Sequence, residues 1–290
     1  MSLTLSSRPR LLDAIRVASD ISLGAYVLSG GGMLDALASA AARGARVRVV
    51  LAAGDSVPPG DIARVNEDAA NRLRAAGATV EFAGSQPGRC AALHAKMALV
   101  DGAAYLDDCN WTASAGDTIL RDDRPADLAA VRDALEHDAG DAPSEDFATR
   151  KRDALASEAA LLHGVAGDEV AIESESFGYD NAVYREMERL AAGGVHPRLL
   201  VSQRDLSGNR RERSALEKLA AAGVRVRVTT ESNEKFALGS GAAWLGSANA
   251  SADWIRPDQL DWGARTSDGA IVAHLRNNFE RRWSRATVLA

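Results

Sequence analysis

A chain that repeats itself over a long span has little freedom in how it folds, because it must build the same unit twice. This sequence repeats itself in that way. Asp101-Gly102-Ala103-Ala104-Tyr105-Leu106-Asp107-Asp108-Cys109-Asn110 aligns with Ser240-Gly241-Ala242-Ala243-Trp244-Leu245-Gly246-Ser247-Ala248-Asn249, and five of the ten positions are identical. The match runs back without a gap, setting Lys96-Met97-Ala98-Leu99 on Lys235-Phe236-Ala237-Leu238 and His94 on Asn233. The offset is 139 residues there. It becomes 146 between Leu73-Arg74-Ala75-Ala76-Gly77 and Leu219-Ala220-Ala221-Ala222-Gly223, and 150 between Arg48-Val49-Val50-Leu51 and Arg198-Leu199-Leu200-Val201. Three blocks in one order, at a period too long for a solenoid, read as a duplicated domain.

Each half shows the same plan. Short apolar runs alternate with stretches whose apolar residues recur every three or four positions, such as Met33, Leu34, Leu37 and Ala41, or Val183, Met187 and Leu190. Gly44 and Gly193 stand where helices would end. Strands alternating with helices predict an α/β fold of two homologous βα lobes with mixed, mostly parallel sheets. Asp101-Gly102 predicts a hairpin turn, and Ser240-Gly241 holds the same place in the second half. The polar stretch from Glu136 to Asp146 marks the division. The expected organisation is a first half over 1–140, a polar linker over 141–157 and a second half over 158–290.

Composition narrows the function classes. With 46% apolar and 26% charged residues the chain has the balance of a globular protein and not of a disordered one. No apolar run is long enough for a membrane span, and the first residues do not read as a signal peptide. Two cysteines do not make a disulfide framework and fit the cytoplasm. A net charge of 34 − 40 = −6 argues against coating nucleic acid by bulk electrostatics.

The segment His94-Ala95-Lys96, four residues, Asp101, and on to Asn110 resembles the HxK(x)4D motif of the phospholipase D superfamily. The Gly-Ser-x-Asn segment that usually follows it stands intact in the second half as Gly246-Ser247-Ala248-Asn249, preceded by Lys235. Duplication is itself a trait of that family. The resemblance covers nearly the whole chain and implies two lobes packed face to face about a pseudo-twofold axis, with one shared, metal-independent site and no cofactor. It implies a covalent phosphohistidine on His94. Lys96, Lys235, Asn110, Asn249 and Ser247 would surround the phosphate, Asn233 would add a neutral contact, and Asp101 would fix the turn. An acidic residue beyond the motif asparagine, Asp261 or Asp117, would orient a histidine. The residue types suit the chemistry: cations and amides stabilise an anionic phosphorus centre, and imidazole divides one displacement into two. On a strand, His94 and Lys96 share a face.

Three departures bear on activity. Asn233 replaces the second histidine and cannot serve as a general acid. Ser240 replaces the second motif aspartate. Asp107-Asp108 replace the first Gly-Ser, where carboxylates would repel phosphate, pair with Lys235, transfer protons or bind a cation, which makes Asp108 a candidate substrate contact. Two readings follow: a phosphodiesterase or phosphatidyl- or phosphoryl-transferase with one histidine, or a catalytically impaired anion-binding or scaffold protein. The expected substrate is a phospholipid head group or small phosphodiester in preference to nucleic acid. One chain suffices for the site, and a dimer is left open.

Other residues have plainer readings. Cys90 and Cys109 read as small buried residues near the motif, and no histidine or cysteine spacing suits structural zinc. His163 is a surface or packing residue unless it stands in for the missing acid. The cluster Arg204, Arg210, Arg211 and Arg213 reads as a solvated helix start with some capacity to attract anions.

Overall fold

The computed structural model describes residues 2–29, 32–52, 61–83, 92–112, 118–136, 146–165, 170–179, 181–206, 208–231, 234–251 and 259–289. Their elements form two series of one kind. The first is β1 (Leu3–Ser6), α1 (Arg8–Val17), β2 (Asp20–Ala25), α2 (Gly32–Ala42), β3 (Arg46–Leu51), α3 (Asp61–Ala75), β4 (Thr79–Phe82), β5 (Lys96–Val100), β6 (Ala103–Asp107), β7 (Ile119–Asp122) and α4 (Pro125–Glu136). The second is β8 (Phe147–Arg150), α5 (Lys151–His163), β9 (Ala171–Ser174), α6 (Ala182–Ala192), β10 (Arg198–Ser202), α7 (Gln203–Leu206), α8 (Arg210–Ala221), β11 (Arg225–Thr229), β12 (Phe236–Gly239), β13 (Ala242–Gly246), β14 (Leu260–Thr266), α9 (Gly269–Arg285) and β15 (Thr287–Val288).

The chain divides into two compact units. One comprises Met1–Ser144 with Ala148–Arg150 and Asp258–Trp262, and the other Glu145–Phe147, Lys151–Pro257 and Gly263–Ala290. Two sheets carry the elements, in the orders β1-β7-β6-β5-β2-β3-β4 and β15-β11-β10-β9-β12-β13-β14-β8. Read from β8, the second order repeats the first and adds β15 at the far edge.

The expectation of mostly parallel sheets is corrected. β2–β3–β4 and β9–β10–β11 are parallel, but β5, β6 and β7 and their counterparts join antiparallel. For β5–β6 and β12–β13 the cause is the tight turn in each motif. Asp101 and Gly102 have φ of 45° and 82°, and Ser240 and Gly241 have 49° and 77°. Two successive left-handed residues reverse a strand onto its neighbour, so no crossover helix is needed.

The linker expectation is also corrected for its described part. Residues 147–157 form β8 and the start of α5, the counterparts of β1 and α1. Phe147, Ala148, Ala154 and Leu155 are buried, and that burial outweighs the polar residues around them. The helix-ending glycine shifts by one place: Gly193 has an ordinary φ of −81°, and Gly194 takes the left-handed φ of 82°.

The apolar spacing does its expected work. On α2, Met33, Leu34, Leu37, Ala40 and Ala41 are buried with Val47, Val49 and Leu51 of β3 and with Leu11 and Ile15 of α1. On α6, Val183, Met187 and Leu190 are buried in the same way. Among the described residues no helix is long and apolar enough to cross a membrane.

Candidate active site

The parallel strands β2 and β3 end at Ala25 and Leu51, and β5 enters antiparallel with Lys96 opposite Ala25. The motif lysine therefore sits at the carboxyl end of parallel strands, the edge where open α/β sheets place ligands. His94 precedes β5 and is fixed by backbone. Its N–H and that of Ala95 both donate to the Leu260 carbonyl at 2.8 Å, and the Leu260 N–H donates to Ala92 at 2.9 Å. This short ladder sets His94 beside Asp261.

The His94 Nδ1 lies 2.9 Å from Asp261 Oδ1. Asp261 is fully buried, and its Oδ2 accepts from Gln259 Nε2 at 2.8 Å. An ionised carboxylate only accepts, so in this pair Nδ1 is the donor. Lys96 Nζ stands nearly equidistant from the two ring nitrogens, 3.1 Å from Nε2 and 3.3 Å from Nδ1, and Lys96 is 1% exposed. Tyr26 closes the group: its ring meets the imidazole edge-on at 4.9 Å between centroids, and Lys96 Nζ lies 5.7 Å from the ring centre. The outcome is an imidazole held between a buried carboxylate and a buried ammonium.

Asn110 follows β6 and is partly exposed. Its Oδ1 is buried and meets no hydrogen-bond partner among the described residues. Asp101 holds the other end of the hairpin. Its carboxylate accepts from the Ser19 N–H at 3.1 Å, the Ser19 hydroxyl at 3.0 Å and the Asp20 N–H at 3.0 Å. Its limited burial raises its pKa, but these donors outweigh it and hold the carboxyl below its ordinary value.

Asp107 and Asp108 are both fully buried. Asp107 Oδ2 meets Arg8 at 3.3 Å, and its Oδ1 accepts from the Cys109 N–H at 2.9 Å. Asp108 Oδ1 accepts from the Thr118 N–H at 3.3 Å. Asp108, expected to meet substrate, is as buried as Ser247 in the second lobe. The ligand atoms of Asp107, Asp108 and Cys109 lie within 4.8 Å of one another, the one such group among the described residues. Arg8 already meets the charge of Asp107 in that group.

The second lobe repeats the scaffold with other side chains. Lys235 precedes β12, whose Phe236 pairs with Glu173. Its Nζ meets Glu175 Oε2 at 3.0 Å, and its side chain is 3% exposed. Asn249 Oδ1 accepts from the Ser176 N–H at 3.4 Å. Ser247 is fully buried. Ser251 Oγ accepts from Lys151 Nζ at 3.1 Å. Beside it a cavity of about 210 Å³ is lined by Lys151, Ser176, Tyr179, Arg211 and Glu212, among others. Asn233 and Cys90 lie outside the described residues.

The histidines beyond the motif serve elsewhere. The His163 side chain is 70% exposed at the end of α5 and meets Glu186 at 3.2 Å. His196 Nδ1 bonds the Gly223 carbonyl at 3.2 Å, and His274 meets Asn278 at 3.2 Å. Reading the motif alone misses Tyr26 and Glu175. Both follow the last residue of the strand facing the motif lysine, so strand register is the signal that finds them.

The family model described as cardiolipin synthase, PLD-like domain, matches residues 11–120 and again residues 164–283. No curated protein matches the chain. Among solved structures, phosphatidylserine synthase from Haemophilus influenzae Rd KW20 superposes with a TM-score of 0.68 at 12% identity, covering 99% of this chain and 87% of that one. Polyphosphate kinase from Porphyromonas gingivalis superposes with a TM-score of 0.67 at 18% identity, covering 97% of this chain and 50% of that one. The chain thus spans half the length of the kinase it resembles.

Proposed function

Because the chain belongs to the family of phospholipase D-like domains, twice over, we propose that it is a phosphoryl-transfer enzyme working through a covalent phosphohistidine on His94. The observation that carries this reading is the oriented imidazole, with Asp261 on Nδ1 at 2.9 Å and Lys96 Nζ at 3.1 Å from Nε2.

In this reading His94 Nε2 attacks the phosphorus of a phosphodiester. The P–N bond forms as the P–O bond to the leaving alcohol breaks. Asp261 stabilises the positive charge that the ring acquires, as a buried carboxylate does for any imidazole base or nucleophile. Lys96 shifts from the ring nitrogen to a non-bridging oxygen, where an ammonium is worth most in a water-poor site. Asn110 offers its amide to the same phosphate. Water or an acceptor alcohol then attacks the phosphohistidine and releases His94. Lys235, Asn249 and Ser247 serve as phosphate contacts in the second lobe, with Asn233 as a neutral contact.

With asparagine at 233, the leaving oxygen takes its proton from solvent or departs as a stable anion. Loss of a general acid costs about 10²–10⁴ in rate, and less for acidic leaving groups. The substrate is therefore a phosphodiester with a good leaving group or one engaged in transfer, a lipid head group or small diester in preference to nucleic acid. The second reading, an anion-binding protein without turnover, is favoured by the same asparagine.

Incubation with an activated phosphodiester, followed by intact-mass analysis, tests the proposal. We expect a phosphoryl adduct on His94, lost in His94→Ala. Asp261→Asn should slow its formation by about 10²–10⁴. Equal turnover in wild type and His94→Ala would refute the mechanism. Anion binding with neither adduct nor turnover would establish the second reading.

A further inference from the structure

We propose that Glu175 makes the phosphate lysine of the second lobe selective for singly charged anions, and so for diesters over terminal phosphates. The proposal rests on the reading that Lys235 contacts substrate phosphate.

The argument starts from register. Lys96 lies opposite Ala25, the last residue of β2, and Tyr26 follows it. In the second lobe β12 faces β9, which ends at Ser174, and Glu175 follows. Tyr26 and Glu175 therefore hold one structural position. Tyr26 brings Lys96 an uncharged ring at 5.7 Å, whereas Glu175 brings Lys235 a carboxylate at 3.0 Å. At this position the first lobe sets a neutral ring beside its lysine and the second a carboxylate. The second forms a pair whose charges sum to zero, 3% and 20% exposed.

A phosphate that bonds Lys235 must come within a few ångströms of Glu175. Each negative charge it carries is drawn by the ammonium and repelled by the carboxylate. A second charge on the phosphate therefore gains little net attraction, yet it raises the desolvation that binding requires. The other candidate contacts in this lobe, Asn249 and Ser247, are neutral donors. They suit a monoanion and do nothing further for a dianion. Fold alone does not decide the matter, since the synthase and the kinase superpose equally well.

Titration calorimetry on the full chain provides the test. The probes are dimethyl phosphate, a monoanion, and inorganic phosphate at about pH 8, where it is a dianion. In Glu175→Gln we expect inorganic phosphate to bind about tenfold tighter and dimethyl phosphate at most about threefold tighter. Glu175→Ala should shift the ratio in the same direction, which separates charge from hydrogen bonding. An unchanged ratio in both variants would overturn the proposal. Lys235→Gln keeps the two levels apart. If it weakens both anions while the Glu175 variants leave the ratio fixed, only the role of Glu175 is lost. If it weakens neither, Lys235 does not contact phosphate and the reading beneath the proposal fails.

Discussion

The two lobes share their strands, turns and motif positions, yet they treat charge differently. In the first, His94, Lys96 and Asp261 are grouped with a neutral tyrosine, and the surplus carboxylate at 107 is met by Arg8 from the start of α1. In the second, Lys235 meets Glu175, and the loop after β9 is anchored by Glu212, which accepts from the Phe177 N–H at 2.6 Å and the Ser176 hydroxyl at 3.1 Å. The first lobe does that anchoring with Asn66, which accepts from the Leu28 N–H at 3.1 Å. One backbone thus supports a lysine beside an imidazole in one lobe and a lysine beside a carboxylate in the other. Folding constrains where polar groups stand, and the groups that meet them differ between the lobes.

The largest test of this contrast is catalytic. Lys96→Met should lower kcat/KM by about 10²–10³, and Lys235→Met by about tenfold, because the second lysine is already compensated. Equal losses would erase the distinction between lobes. A stability test comes next. The eighth residue of α1 is the fully buried Ile15, and the eighth of α5 is Glu158, 2% exposed. Burial pushes the Glu158 carboxyl up to about 8 from about 4.5. The folded chain therefore binds a proton that the unfolded chain releases. Stability is complete below about pH 4.5 and falls as pH rises towards 8. Glu158→Ile should remove this dependence and gain about 3 kcal/mol at the alkaline end, as read by urea unfolding at both ends of that range. A wild type whose stability is flat across that range would contradict it. The smallest test concerns the hairpins. Asp101→Ala loses three donors' partner and should cost about 2 kcal/mol, against about 1 kcal/mol or less for Ser240→Ala. A thermal melt that ranks them the other way would show that the turns are not anchored differently.

Much of this was legible in the chain. The repeat gives two lobes, the two-residue spacing puts His94 and Lys96 together, and the Asp-Gly pair gives the turn. What escaped has physical causes. β8 and α5 hide because the strand has only four residues and lies beside an acidic stretch, so burial, not pattern, decides it. The resemblance names Asp261, with Asp117, as a residue that would orient a histidine; that Asp261 meets His94, 167 residues away, is set by a backbone bridge that no local pattern announces. Tyr26 and Glu175 depend on strand register. Asp107 reads from sequence as a charge aimed at a ligand; its partner Arg8 lies 99 residues away.

The Arg8–Asp107 bridge also bears on descent. In lobe one, arginine at the helix start and aspartate at the strand end are bound together, with the guanidinium reaching the Thr112 carbonyl as well. Changing Asp107 to glycine would take from Arg8 the carboxylate it now meets, and changing Arg8 first would take that contact from a buried acid. Either single step costs stability, so the two positions must change together. Once formed, such a pair acts as a latch, and neither position changes alone without loss.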